Sequence, residues 1–128
     1  MSVYYEDGTK TILYAEDDDL ERGLMAKALA RLGYRLIPAV DGQDAITQFL
    51  TNREEIHLVV LDVIMPKKNG LETLDEIRKL QPDIKAIFCS ACPEAVLQAH
   101  GDQEKGVVIF TKPVNMNLLA GKIRELLG

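Results

Sequence analysis

The sequence predicts an α/β domain of (βα)5 type, a five-stranded parallel sheet in the order 2-1-3-4-5 doubly wound with helices on both faces. Three observations carry this. Short apolar runs rich in branched residues, such as Leu58–Leu61 and Val107–Phe110, lack the alternation of a half-exposed strand and suit strands covered on both faces. Each run is followed by apolar residues at helical spacing, so strand and helix alternate, which implies parallel pairing and right-handed crossovers. The 128 residues suffice for one such domain with a buried core.

Residues 1–10 are polar and read as a short leader, so the domain spans residues 11–128. Thr11–Ala15 is a compact strand followed at once by Glu16, Asp17, Asp18 and Asp19. Some of these acids suit a helix start, where negative charge offsets the dipole. Leu20, Leu24, Met25, Ala28, Leu29 and Leu32 then form an apolar helical stripe, stopped by Gly33. Tyr34–Ala39 is the second strand, and Pro38 favours a sheet edge because it lacks a ladder donor. Asp41-Gly42 makes a turn, and Asp44–Leu50 an amphipathic helix.

The third strand, ending at Asp62, is central. Pro66 and Asn69-Gly70 force a loop after it, and Leu71, Leu74, Ile77 and Leu80 mark a third helix ended by Pro82. Ile84–Cys89 is the fourth strand. Pro93–Ala99 has room only for a short fourth helix, and Gly101–Gly106 reads as a loop. Val107–Phe110 is the fifth strand, followed by Thr111-Lys112-Pro113. A last helix carries Leu118, Leu119, Ile123, Leu126 and Leu127.

Composition narrows the function. Hydrophobic residues make up 47% and charged residues 27%, which argues against disorder. No apolar run approaches the roughly 20 residues of a membrane span, and the N-terminus lacks the basic and apolar regions of a secretory signal. A cytoplasmic location with no membrane contact is the expectation. A net charge of −5 offers no general attraction for nucleic acid, so no direct binding to it is expected. Cys89 and Cys92 match C-x-x-C, yet Cys89 closes a buried strand, whereas a dithiol motif needs both sulfurs at an exposed helix start.

Listing the strand ends brings the chemistry together. Strand one ends in Glu16 and Asp17, strand three in Asp62, strand four in Ser90 and strand five in Lys112-Pro113. Open α/β sheets bind their ligands at this edge. Two carboxylates about 5 Å apart repel by roughly 3 kcal/mol at an effective dielectric of 20, so protons or a divalent cation must relieve them. A few hard oxygen ligands suit Mg²⁺ with several retained waters. A carboxylate nucleophile flanked by a cation, a lysine and a hydroxyl suits acceptance of a phosphoryl group.

With Glu16-Asp17, Leu61-Asp62-Val63-Ile64-Met65-Pro66 and Gly70, Ser90-Ala91 and Lys112-Pro113 in place, the chain resembles the receiver domains of two-component response regulators, from Thr11 to Leu127. The resemblance implies a CheY-like, flavodoxin-like fold with Asp62 as phosphoacceptor. It also implies Asp17 as a direct Mg²⁺ ligand, Glu16 acting mainly through water, and the Ile64 carbonyl as a backbone ligand. Ser90 and Lys112 would contact the phosphoryl group. Such domains catalyse their own phosphorylation and dephosphorylation. They take phosphate from a sensor histidine kinase or phosphotransfer protein and switch a surface for a downstream protein target or a fused output domain.

Three departures stand out. Glu16 replaces a common Asp, Ile109 stands three before the lysine where an aromatic is frequent, and Gly101–Val108 lacks the usual small, acidic and aromatic pattern. With no ring to swing at Ile109, the expectation is that the Ser90–Gly101 backbone carries the switch. A degenerate receiver, binding partners without phosphorylation, is the alternative. A dehalogenase-type phosphohydrolase would need Asp-x-Asp, and position 64 is Ile. A thioredoxin-like dithiol protein would leave the acidic cluster and Lys112 without a role.

Overall fold

The elements in chain order are β1 (Thr11–Ala15), α1 (Asp19–Arg31), β2 (Arg35–Ala39), α2 (Gly42–Asn52), β3 (Ile56–Asp62), α3 (Gly70–Leu80), β4 (Lys85–Ser90), β5 (Val107–Thr111) and α4 (Met116–Leu127). They come from a computed structural model that describes residues 9–92 and 107–128. All strands pair in parallel, in the order β2-β1-β3-β4-β5. This is the predicted sheet, with Pro38 on the edge strand. The first eight residues of the leader, the short helix expected at Pro93–Ala99 and the loop at Gly101–Gly106 lie outside the described residues.

The core has two layers because successive strand residues point to opposite faces. Leu13, Ala15, Val59, Leu61, Ala86 and Phe88 pack with Ala45, Ile46 and Phe49 of α2 and Leu74 and Ile77 of α3. On the other face, Ile12, Tyr14, Leu58, Val60, Ile87 and Cys89 pack with Leu29 of α1 and Leu119 and Ile123 of α4. Alternation also separates Ile109 from Phe110: Ile109 joins the α2/α3 layer and Phe110 the α1/α4 layer. Each helix start is satisfied by a side-chain cap, Asp18, Asp41, Asn69 and Asn115, which accept backbone N–H groups left unpaired in the first turn.

The apolar stripe expected on α1 is not a buried face. Leu29 is fully buried, but Leu20 is 72% and Leu24 60% exposed. At about 100° per residue, Leu20 and Leu29 lie on opposite sides of the helix, so the six residues span half its circumference. Met25 and Leu29 define the buried side; Leu20 and Leu24 project outward beside the carboxyl edge of the sheet. In α4, likewise, Leu119 and Ile123 are buried while Leu118 is exposed.

Candidate functional site

The carboxyl ends of β1, β3, β4 and β5 meet at one edge. β3 delivers Asp62, whose backbone is fixed by the ladder to Cys89 and by the next residue, since the Val63 N–H donates to the Cys89 carbonyl at 3.2 Å. The chain then turns back sharply: the Gly70 N–H donates to the Val63 carbonyl at 2.7 Å, so the start of α3 lies directly against the end of β3. Asn69 and Glu72 close a reciprocal capping box there.

β1 delivers Glu16, buried, and Asp17, exposed. Carboxylate oxygens of Glu16, Asp17 and Asp62 all lie within 4.8 Å of one another. Asp18 caps α1, and its own N–H donates to Glu16 Oε2 at 3.1 Å. The four sequential acids thus divide their work: Glu16 and Asp17 join the cluster, Asp18 caps the helix, and Asp19 pairs with Arg22.

Lys112, just beyond β5, reaches into this cluster. Its backbone N–H donates to the Ser90 carbonyl at 2.8 Å, which joins the ends of β4 and β5. Its Nζ lies 2.8 Å from Glu16 Oε1, 3.0 Å from Glu21 Oε2 and 3.1 Å from Asp62 Oδ1. The Lys112–Pro113 peptide bond is cis. Ser90 is buried at the end of β4, and its Oγ accepts the Cys92 N–H at 3.0 Å. Ile64 lies two residues past Asp62 with its side chain exposed at the rim.

The electrostatics follow from burial beside like charge. Burial pushes the Glu16 carboxyl up to about 7, against the pull of the Lys112 hydrogen bond. Burial works against the Lys112 charge too, but its hydrogen bonds to Glu16 and Glu21 and the Asp62 carboxylate beside it outweigh this and hold its pKa above the ordinary lysine range. Glu21 is held low by its hydrogen bonds to Glu16 and then Lys112. Burial pushes the Cys89 thiol up to about 12, so it is a neutral core thiol; Cys89 and Cys92 are both free.

Sequence reading brought Glu16, Asp17, Asp62, Ser90 and Lys112 to this edge. It missed Glu21 and Arg22. Glu21 supplies a carboxylate to Lys112, and the Arg22 guanidinium donates to the Glu16 carbonyl at 2.8 Å. Both sit in the first turn and a half of α1, where an acid and a base resemble any solvated helix face. The available signal was distance in sequence: they stand five and six residues after Glu16, within side-chain reach of the end of β1.

The fold is shared with known proteins. The model of the response regulator receiver domain family matches residues 12–124. The sensor kinase CckA of Brucella abortus is 33% identical over 94% of this chain, which spans 13% of that kinase. The response regulator receiver protein CpdR of the same organism is 28% identical, covering 92% of this chain and 97% of its own length. Among solved structures, TrrA of Thermotoga maritima in complex with Mg²⁺ and BeF superposes with a TM-score of 0.76. It is 31% identical, over 92% of this chain and 99% of that one.

Proposed function

The chain belongs to the response regulator receiver domains, and from that premise we propose that it is a working phosphoacceptor switch with Asp62 as the site of phosphorylation. The observation that carries the reading is the position of Asp62: at the end of the central strand, 3.1 Å from the Lys112 ammonium, and grouped with Glu16 and Asp17. A side chain built only to cap or solvate a loop has no need of a half-buried lysine and two further carboxylates.

In this reading an Asp62 oxygen attacks the phosphorus of a phosphodonor, an O–P bond forms, and the bond from phosphorus to the donor breaks with its electron pair leaving on the donor. The Lys112 ammonium offsets the negative charge carried in with the phosphoryl oxygens. The Ser90 hydroxyl donates a hydrogen bond to one of them. The donor set suits a hard cation, since Glu16, Asp17 and Asp62 offer only carboxylate oxygen; by the family resemblance the Ile64 carbonyl would be the backbone ligand. Mg²⁺ held there supplies charge neutralisation of the same phosphoryl oxygens. Attack of water on the phosphorus then breaks the Asp62 O–P bond, releases inorganic phosphate and restores the carboxylate, so the domain also catalyses its own dephosphorylation.

Leu20, Leu24, Ile64 and Leu118 are exposed and belong to the loop and helix starts that follow the carboxyl ends of β1, β3 and β5. They give a sensor histidine kinase or phosphotransfer protein an apolar surface on which to present its phosphohistidine. The domain 11–128 then acts on a downstream protein or a fused output domain, in the cytoplasm and without touching nucleic acid itself. Ile109 is packed in the α2/α3 layer, so the switch is assigned to the backbone that leaves Ser90.

The deciding experiment is intact mass after incubation with acetyl phosphate and Mg²⁺. Wild type is expected to gain one phosphoryl group and Asp62→Asn none. Equal incorporation removes Asp62 from the role, and none in wild type favours a degenerate receiver acting as a phosphorylation-independent interaction module.

A further inference from the structure

An ammonium group has three N–H donors, and those of Lys112 face three carboxylates: Glu16 at 2.8 Å, Glu21 at 3.0 Å and Asp62 at 3.1 Å. Two of the donors are committed as hydrogen bonds, to Glu16 and Glu21, while Asp62 is held as an ion pair without hydrogen-bond alignment. For Lys112 to turn its ammonium fully toward a phosphoryl group on Asp62, one of those two hydrogen-bonded carboxylates must let go. Asp62 is itself the acceptor. Glu16 is buried, and it is tied down by the Asp18 N–H on its other oxygen. Glu21 differs from both, because its side chain is 53% exposed and water can replace the lysine at little cost.

We propose that Glu21 is a positioning residue for the phosphoryl reaction: it parks the Lys112 ammonium on the α1 side at rest, and phosphorylation exchanges Glu21 for a phosphoryl oxygen. This deepens the phosphoacceptor reading and rests on it. Two consequences follow from the geometry. Glu21 competes with the incoming phosphoryl group for Lys112 and adds a negative charge beside its path, so it slows phosphorylation. Its release also carries the event to α1, whose first turn loses a tether to the sheet edge.

The test compares wild type with Glu21→Gln and Glu21→Ala, using acetyl phosphate with Mg²⁺ and phosphorylation followed by intact mass. Because the pair is partly exposed, the rate is expected to rise by about twofold to fivefold in both variants. The gain should shrink at high salt, where exposed charges are screened. A structural role for Glu21 would not produce that pattern. The second readout is the ¹⁵N-lysine ammonium signal of Lys112, recorded before acetyl phosphate is added. It should shift in both variants while the backbone amides of the sheet stay in place. An unchanged or slower rate, or an unmoved Lys112 signal in a folded variant, overturns the proposal. Wild type that takes no phosphate overturns the phosphoacceptor reading, and the role of Glu21 with it. Normal wild-type phosphorylation with neither variant differing from wild type overturns the role of Glu21 alone.

Discussion

A β-carbon on Gly70 would fall inside the van der Waals shell of the Asp62 carbonyl oxygen and 3.0 Å from the Val63 Cα. Both are backbone atoms at the strand end that carries Asp62, the proposed nucleophile, so they cannot rotate aside. Gly70→Ala is therefore expected to cost about 1–3 kcal/mol in urea unfolding and to slow phosphoryl uptake, whereas a neutral result would mean that the turn has slack. Lys67 presents the opposite case. It holds φ at +68°, and its ion pair with Asp41 spans 3.5 Å with the lysine well exposed. Left-handed backbone costs an L-residue about 1 kcal/mol that glycine avoids, and an exposed ion pair returns little of it. Lys67→Gly should stabilise the fold by a few tenths to about 1 kcal/mol, read as a higher urea midpoint at unchanged m. The first site was legible as Asn-Gly turn chemistry. The second was not, because lysine carries no signal for positive φ.

At the scale of elements, β1 and β3 do not pair evenly: Thr11 opposes Ile56 and Ile12 opposes Leu58, so His57 is left over. Its ring takes part in the ladder instead, with Nδ1 accepting the Thr11 N–H at 3.0 Å. Burial, then the nearby Lys10 charge, holds the His57 pKa below its ordinary 6.5. The folded state therefore binds fewer protons than the unfolded chain. Stability from this group is complete above pH 6.5 and is lost as pH falls through the lower folded value. His57→Gln keeps an acceptor without a titration, so unfolding midpoints taken from pH 7.5 down to 5 should be flatter in the variant; parallel curves would show that the bulge bond is not titrating. Strand order and the two-layer core were legible because branched apolar runs have few alternatives in a parallel sheet. The face of α1 was not, since six apolar residues spread over half a helix leave the buried side undecided, and only packing of Met25 and Leu29 against the sheet chooses it. Glu21 and Arg22 stayed hidden for the same reason, as their roles depend on which way α1 turns.

For the whole molecule, the acidic edge is a standing cost that the metal-free fold carries. Glu16 is buried with a carboxyl raised to about 7 from 4.5, so between those values the folded state holds a proton that the unfolded chain has lost. The contribution of Glu16 to stability is thus greatest at low pH and declines as pH rises from about 4.5 to about 7. His57 acts with the opposite sign over part of this range, which is why each is read in its own variant. In metal-free buffer, Glu16→Gln should flatten the decline toward pH 7. Mg²⁺ at the cluster would relieve the same repulsion and has no comparable cluster to bind in the unfolded chain. At about tenfold excess over its dissociation constant, mass action gives roughly 1.4 kcal/mol, or about 5 °C in Tm for a domain of this size. Asp17 is the exposed member of the cluster, so Asp17→Asn removes a proposed ligand without opening the core. The variant should be at least as stable as wild type without metal, because one repelling charge is gone, and should lose most of the Mg²⁺-dependent rise. Thermal melts of both proteins across a Mg²⁺ titration, with Ca²⁺-free EDTA controls, make the comparison; a full Mg²⁺ shift retained in Asp17→Asn would remove Asp17 from the ligand set.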